Sequence, residues 1–223
     1  MSVPPLTGNS RGKMKKLLSI QELKNSPWPR RIAQALGTNL LSAFVHGDCL
    51  MEGFSPFMAP WNVSFILKEV SPEIQTALHN LAKDAAKENI HFKYYFTLKE
   101  ILELSANFPL EFLHIANRNE VLCGQTPLAG YKPNPNALAL QCKRELQSIK
   151  LHWRETQLTA KNEKAVAAAT DQLKQALLPV LYGIFHLQTG NYPENKQQVA
   201  EAYMQKTFLE NIEEGLNKLA EKL

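Results

Sequence analysis

Polar side chains that could take part in chemistry lie around two short apolar runs in the N-terminal half of the chain. Gly47 and Asp48 follow the run Leu40–His46, and Asn62 and Ser64 lie in the next run. On a strand, residues two apart point to the same face, so Asn62 and Ser64 would present an amide and a hydroxyl side by side. Both groups are neutral, whereas Mg²⁺ among phosphates requires anionic oxygen ligands. The pair therefore predicts a polar face that lacks the charge to hold a divalent cation.

Three acidic residues are candidates for a metal site built differently. Asp48, Glu52 and Glu111 could together supply carboxylate oxygens, although acids in loops are more often solvated than ligating. The six histidines have no spacing typical of metal ligands on one helix. We therefore expect no bound metal unless this rearranged site forms.

The pattern of apolar residues and helix breakers predicts mixed secondary structure as far as residue 132. The predicted strands are Leu40–His46, Val63–Leu67, His91–Phe96 and Leu110–Ile115, with a short edge piece at Val121–Cys123. The predicted helices are Leu17–Lys24, Trp28–Leu36, one that begins at Ser71-Pro72-Glu73, and Thr97–Leu104. Ser71 and Thr97 are suitable N-caps, and Gly37 is a suitable stop.

Helical spacing dominates the chain beyond Ala129–Asn136, a segment that contains glycine and prolines and is the best linker candidate. The first apolar face consists of Leu138, Cys142, Leu146, Ile149 and Trp153. Four helices with short connections predict an up-down bundle. We therefore predict an α+β protein, with a flexible tail over residues 1–13, a small α/β domain over residues 14–132 and an all-α four-helix bundle domain over residues 133–223.

Composition excludes several classes of function. The 223 residues carry 25 basic and 21 acidic side chains, which gives no strong signal for nucleic-acid binding. No stretch approaches the roughly 18 consecutive apolar residues of a membrane span. Three irregularly spaced cysteines argue against a disulfide framework and favour a reducing, cytoplasmic setting. The expected partner is a small molecule or a protein.

Three motifs in order carry a resemblance to a known family. They are Phe44-Val45-His46-Gly47-Asp48, Met51-Glu52-Gly53-Phe54 and Trp61-Asn62-Val63-Ser64-Phe65-Ile66-Leu67, which predict a strand, a glycine turn, a loop and a second strand. This order resembles the start of the nucleotidyltransferase domain of kanamycin-type and DNA polymerase β-type enzymes. The resemblance extends over residues 38–187, with Phe108–Ile115 similar to the third core strand and Leu140–Leu146 to the opening helix of the C-terminal bundle. It implies a small mixed-sheet nucleotidyltransferase-type domain, with Gly47, Asp48 and Gly53 near the nucleotide.

The departures from the family pattern concern its chemistry. In the family the first strand ends in Gly-Ser, and the second carries Asp-x-Asp, which holds two divalent cations during transfer of a nucleoside monophosphate. Here Asp48 replaces the serine, and Asn62 and Ser64 replace the aspartates. Glu111 would lie on the strand that supplies the third carboxylate. The resemblance therefore implies a degenerate site that binds neither Mg²⁺ nor a nucleoside triphosphate in the family manner.

Three functions follow as hypotheses. The first is a catalytically inactive nucleotidyltransferase-fold protein, a pseudoenzyme, that acts as a ligand-binding or regulatory module through the cleft between its domains. The second is an active metal-dependent enzyme that transfers a nucleoside monophosphate to a small-molecule or protein acceptor through Asp48, Glu52 and Glu111. The third is an assembly protein that forms a homodimer through apolar residues near its end, namely Leu209, Ile212, Leu216 and Leu219.

Overall fold

A mixed sheet of four strands lies at the centre of the N-terminal part of the chain, as far as the computed structural model describes it, over residues 17–51, 54–126, 128–204, 208 and 211–223. The strands are β1 (Leu40–His46), β2 (Trp61–Leu67), β3 (Ile90–Thr97) and β4 (Asn119–Gly124), in the order β3-β2-β1-β4. Strand β1 runs antiparallel to β2 and β4, and β2 runs parallel to β3. The end of β1 therefore meets the beginnings of β2 and β4 at one end of the sheet.

The helices around the sheet begin and end where local chemistry favours it. They are α1 (Ile20–Lys24), α2 (Trp28–Leu36), α3 (Pro72–Lys87) and α4 (Leu98–Asn107). Helix α2 ends at Gly37, whose φ of 53° suits glycine. The Ser71 hydroxyl accepts a hydrogen bond from the Ile74 amide at the start of α3. Thr97 and Glu100 form a reciprocal capping box at the start of α4, so both predicted N-caps are confirmed.

The prediction of a strand at Leu110–Ile115 is wrong, because this segment lies in helix α5 (Pro109–Asn117). Pro109 occupies the first turn, where a missing amide hydrogen costs nothing. Leu110 and Leu113 pack on the helices of the C-terminal half, while Phe112 and Ile115 pack under the sheet. Because α5 is buried on two sides, it lacks the polar stripe that distinguishes a helix from a buried strand in sequence.

In the part that the structure describes, the C-terminal half consists of helices joined by short connections, with α6 (Pro135–Thr159), α7 (Glu163–Thr189), α8 (Lys196–Tyr203) and α9 (Ile212–Ala220). On the predicted face of α6, Leu138, Cys142, Leu146 and Trp153 are buried, and Ile149 packs against them. Helix α7 continues through Pro179 and ends before Gly190. Ile212, Leu216 and Leu219 of α9 pack into the same apolar cluster. None of the described helices is long and apolar enough to cross a membrane.

Apolar side chains form three clusters, which we name by position. The outer-sheet cluster joins one face of the sheet to α1, α2 and α3; the inner-sheet cluster joins the other face to α4 and α5; the helical cluster joins α5 to α6, α7 and α9. The predicted α+β class is confirmed. The predicted boundary after residue 132 falls between β4 and α6, whereas α5 contributes to both sides of it, so the division into two domains stays a prediction.

Candidate functional site

The end of β1 and the beginning of β2 present polar side chains on the inner face of the sheet. Asn62 and Ser64 lie two residues apart on β2, and His46 ends β1 beside them. The His46 Nε2 atom lies 2.8 Å from the Ser64 Oγ atom, and the Tyr94 amide of β3 donates a hydrogen bond of 3.1 Å to the same oxygen. Three adjacent strands thus converge on the Ser64 hydroxyl.

His46 is neutral in this setting. Only 4% of the residue is exposed, and burial, aided by the positive charge of Lys93, lowers its pKa from 6.5 to about 4. The ring stacks on Tyr94 with centroids 5.9 Å apart and an interplanar angle of 23°. The Lys93 Nζ atom lies 5.3 Å from the centre of the same Tyr94 ring. A cation therefore stands beside a neutral imidazole at this end of the sheet.

A local irregularity of β3 places Lys93 there. Val63 of β2 pairs with Phe92, but the next residue, Ser64, pairs with Tyr94, so Lys93 is skipped in the register. Such a bulge redirects the side chains that follow it. It sets Tyr94 opposite Ser64 and leaves Lys93 exposed at the edge of the polar face.

The chemistry available to this polar face is limited by burial. Ser64 is fully buried and already contacts two partners, so its hydroxyl is not presented as a nucleophile to a substrate. Asn62 is half-buried and neutral. Hydrogen bonding to an uncharged or anionic group suits these residues, whereas a divalent cation would meet Lys93, and His46, Asn62, Ser64 and Tyr94, the described residues of this face, carry no carboxylate.

The turn after β1 faces the helical half of the protein. Gly47 has a φ of 83°, which requires glycine, and a short 3₁₀ turn follows over Gly47–Leu50. Asp48 in this turn is exposed, and its negative charge contributes to raising the pKa of Tyr182 and Tyr192 after the larger effect of burial. The turn therefore lies within electrostatic reach of α7 and of the loop that follows it.

An aromatic cluster with one cation lies on the helical side, within electrostatic reach of this turn. The His114 Nδ1 atom of α5 lies 2.8 Å from the Tyr192 hydroxyl, and the rings of Tyr182 and Tyr192 pack edge to face. The Arg118 guanidinium lies 5.3 Å from the Tyr182 ring centre and 5.5 Å from that of Tyr192. Its Nη2 atom donates to the carbonyl oxygens of Pro193 and Glu194 at 3.3 and 3.1 Å.

Three polar atoms in this cluster are buried without a hydrogen-bond partner: His114 Nε2, Arg118 Nε and the Tyr182 hydroxyl. Burial lowers the pKa of His114 to about 4, with a smaller lowering by Arg118, while the Pro179 carbonyl favours the charged form without reaching hydrogen-bond geometry at Nε2. Unpaired buried polar atoms are unfavourable, so each of the three is a place where an ordered water molecule or a ligand atom would be stabilising.

The predicted site residues divide between several places. Gly47, Asp48, Asn62 and Ser64 lie together at the end of the sheet. Glu111 lies on α5 rather than on a strand, and its carboxylate accepts a hydrogen bond of 2.7 Å from Gln141 of α6. Glu52 and Gly53 lie outside the described residues, as do Leu209 and the predicted tail over residues 1–13. Among the described residues, no three histidine, cysteine or acidic side chains are close enough to hold a metal ion.

Several residues of the site cannot be predicted from the sequence. Lys93 and Tyr94 reach the polar face only through the bulge in β3, which leaves no mark in the apolar pattern. Arg118, Tyr182 and Tyr192 come together from three separate segments, and nothing in their spacing indicates it. His114 has one usable signal in the sequence, since it lies three residues beyond Glu111 in a run that starts with a helix-favouring proline.

Comparisons with known proteins give little beyond the general architecture. Neither a protein-family model nor a curated protein sequence matches the chain. Among solved structures, the chain is similar to spectinomycin adenyltransferase AAD(9) from Enterococcus faecialis with ATP and spectinomycin. The TM-score is 0.48 at 10% identity, and the alignment covers 90% of this chain and 98% of that one. At these values the likeness carries no inference about activity.

Proposed function

We propose that this chain is a nucleotidyltransferase-type protein that binds a ligand in the cleft between its sheet and its helices without catalysing metal-dependent nucleotidyl transfer. One observation carries the proposal: the Ser64 hydroxyl, at a position where the family places a metal-binding carboxylate, contacts a neutral buried His46 beside Lys93. The strand–glycine turn–strand order of β1, Gly47 and β2 supports the family, as does the parallel pairing of β2 with β3.

Electrostatics oppose a metal–triphosphate complex here from two directions. On the polar face, a divalent cation would meet Lys93 and, among the residues of this face that the structure describes, only the neutral side chains of His46, Asn62, Ser64 and Tyr94. At the turn, the Asp48 carboxylate would face the phosphates, and at roughly 4 Å with an effective dielectric of about 20 each like-charge contact costs about 4 kcal/mol before screening. The displaced metal site also loses support, because Glu111 is engaged by Gln141 on α6.

The direct test is an assay of the purified protein with ATP, CTP, GTP or UTP in the presence of Mg²⁺ or Mn²⁺. We expect no pyrophosphate release and no labelled acceptor, whether a small hydroxyl compound or a protein is supplied. Mn²⁺ binding, followed by electron paramagnetic resonance, is expected to be weak in the wild type and stronger in the Asn62→Asp/Ser64→Asp variant. Nucleotidylation of any acceptor by the wild type would falsify the proposal.

The Asp48→Ala and Glu111→Ala variants distinguish the remaining enzymatic hypothesis. If a rearranged site existed, wild-type protein would bind Mn²⁺ and each variant would lose that binding. We expect neither variant to change the weak wild-type signal. The exposed Asp171→Ala variant in α7 serves as the matched control for the removal of one carboxylate.

A further inference from the structure

A cavity of about 450 Å³ lies on the outer side of the turn that follows β1. Its apolar wall comes from α1, the turn and the start of β2, and consists of Ile20, Leu50, Met51, Phe54 and Trp61. Trp61 belongs to the outer-sheet cluster, whereas Asn62 and Ser64 point to the inner face. The cavity is therefore separate from the polar face, and its volume lies within the roughly 300–1,000 Å³ range of small-molecule sites.

In the part of the chain that the structure describes, the polar wall of this cavity carries one positive charge, that of Arg118, which has no ion-pair partner. It is formed by the corner between α5 and β4, residues Asn117 to Glu120. The Glu120 carboxylate is paired with Lys24 at 2.5 Å, so its charge is balanced. Arg118 forms no ion pair within the described part of the chain, and both recorded hydrogen bonds of its Nη2 go to neutral carbonyls.

Arg118 is also held in place before any ligand arrives. The guanidinium rests against the rings of Tyr182 and Tyr192 and is tied to the Pro193 and Glu194 carbonyls. A fixed guanidinium loses little conformational freedom on binding, and its planar shape matches a carboxylate. Its Nε atom is buried and has no hydrogen-bond partner among the described residues.

The negative end of helix α5 does not cancel this charge. The side-chain amides of Asn117 and Asn119 donate to the carbonyls of Leu113, Ile115 and Ala116, and the Arg118 amide donates to the His114 carbonyl. These bonds satisfy the last carbonyls of the helix, which would otherwise repel an anion. The corner therefore presents a cation next to an apolar wall.

We infer that this cavity is a binding site for a small organic carboxylate, with the apolar body of the ligand against Trp61, Phe54 and Leu50 and its carboxylate on Arg118. A cationic ligand is disfavoured by Arg118, and a highly charged phosphate by the apolar wall. The cavity is separate from the polar face but shares Arg118 with the aromatic cluster on the helical side, so the inference concerns ligand binding and does not depend on whether the protein transfers nucleotides.

Fluorine NMR of protein labelled with 5-fluorotryptophan tests both the ligand class and the location. The chain has three tryptophans, and of these Trp61 lines the cavity while Trp28 and Trp153 lie elsewhere. Benzoate is titrated to about 10 mM, which detects ligands as weak as about 1 mM. We expect the Trp61 resonance to shift saturably and the Trp153 resonance to stay in place, with benzamide, the neutral analogue, without effect.

Substitution of Arg118 tests the anchor. Arg118→Gln is expected to weaken benzoate binding about ten- to hundredfold, since a charge-assisted contact is lost. Arg30→Gln removes the same charge from an exposed position on α2 and should leave binding unchanged. Because Arg118 also secures the loop after α7, circular dichroism must show that the variant is folded. The comparison of benzoate with benzamide uses the wild-type protein, so it still tests the inference if Arg118→Gln does not fold.

The inference is overturned if benzoate does not bind, if benzamide binds equally well, or if folded Arg118→Gln retains full affinity. A shift of the Trp153 resonance instead of that of Trp61 would also overturn it. Nucleotidyl transfer by the wild type would contradict the proposed function but would not change the result for benzoate binding.

Discussion

His46 illustrates how one buried side chain can define the character of a site. Its imidazole contacts Ser64, stacks on Tyr94 and lies near Lys93. A buried polar pair of this kind is stable only while the imidazole stays neutral, because charging it would require desolvation beside another cation. Burial beside Lys93 therefore makes this part of the protein sensitive to acid.

The free energy of unfolding should fall as the pH drops from about 6.5 to about 4. The pKa of His46 is 6.5 in the unfolded chain and about 4 in the folded protein. Between these values the unfolded state binds the extra proton, so stability is highest above the unfolded value and is lost as the pH decreases. At 1.36 kcal/mol per unit, the contribution of His46 to this loss is about 3 kcal/mol. Urea denaturation at several pH values measures it.

Two variants identify His46 as the source of this loss. His46→Gln should flatten the pH dependence, with the shallower remainder due to His114, whose pKa is also lowered to about 4. His79→Gln removes an exposed histidine on α3 and should leave the slope unchanged. An unaltered slope in His46→Gln would mean that this histidine is not buried in its neutral form.

At the scale of elements, sequence reasoning succeeds where one local signal decides the structure. Trp28–Leu36 and Leu40–His46 are placed to the residue, and Ser71 and Thr97 cap helices as expected. Each case depends on an N-cap, a glycine stop or a short apolar run between breakers. These signals act over a few residues and need no knowledge of tertiary contacts.

Helix α5 shows where such reasoning fails. Both its sides are buried, so hydrophobic periodicity gives no distinction between helix and strand, and the start at Pro109 is the one local signal. The prediction of a strand at Leu110–Ile115 places Glu111 on the sheet and leaves the corner that contains Arg118 unpredicted. The polar face was partly predictable from the spacing of Asn62 and Ser64, whereas its partners His46 and Lys93 depend on strand pairing and a bulge.

The capping box at α4 should contribute measurably to stability. The Thr97 hydroxyl accepts from the Glu100 amide, and the Glu100 carboxylate accepts from the Thr97 amide at 2.7 Å. Thr97→Ala should cost about 1 kcal/mol in urea denaturation, since it exposes unpaired amides at the helix start. Thr76→Ala, at an exposed position inside α3, should cost nothing, because alanine favours a helix interior. Equal effects in the two variants would count against the cap.

Gly183 is a point of close approach between three helices. A β-carbon at this position would lie 2.7 Å from Cys142 Sγ on α6 and 2.7 Å from Leu110 Cδ1 on α5. Gly183→Ala should therefore destabilise the protein by about 1–3 kcal/mol, even though alanine favours a helix by up to about 1 kcal/mol. Adding Cys142→Ala should recover part of the loss. If Gly183→Ala were stabilising, α5, α6 and α7 would not meet this closely.

At the scale of the whole molecule, α5 and the corner after it join the sheet to the helices. Leu113 lies in the helical cluster and Phe112 in the inner-sheet cluster, one residue apart. The end of α5 and the corner after it add hydrogen bonds, because His114 contacts Tyr192 and Arg118 holds the loop after α7. Because the sheet and the C-terminal helices share α5, neither region can lose its packing without affecting the other. A boundary after residue 132 therefore need not separate two regions that unfold independently.

Unfolding should consequently be a single cooperative transition across the predicted boundary. Trp61 reports on the outer-sheet cluster and Trp153 on the helical cluster, so variants that keep one of these tryptophans and carry phenylalanine at the others monitor the two regions. We expect coincident urea midpoints by fluorescence and circular dichroism. Phe112→Ala, which should cost about 3–5 kcal/mol, should lower both midpoints together. Separate midpoints, with Phe112→Ala shifting only the Trp61 transition, would show instead that α5 belongs energetically to the sheet and that residues 133–223 fold as a domain of their own.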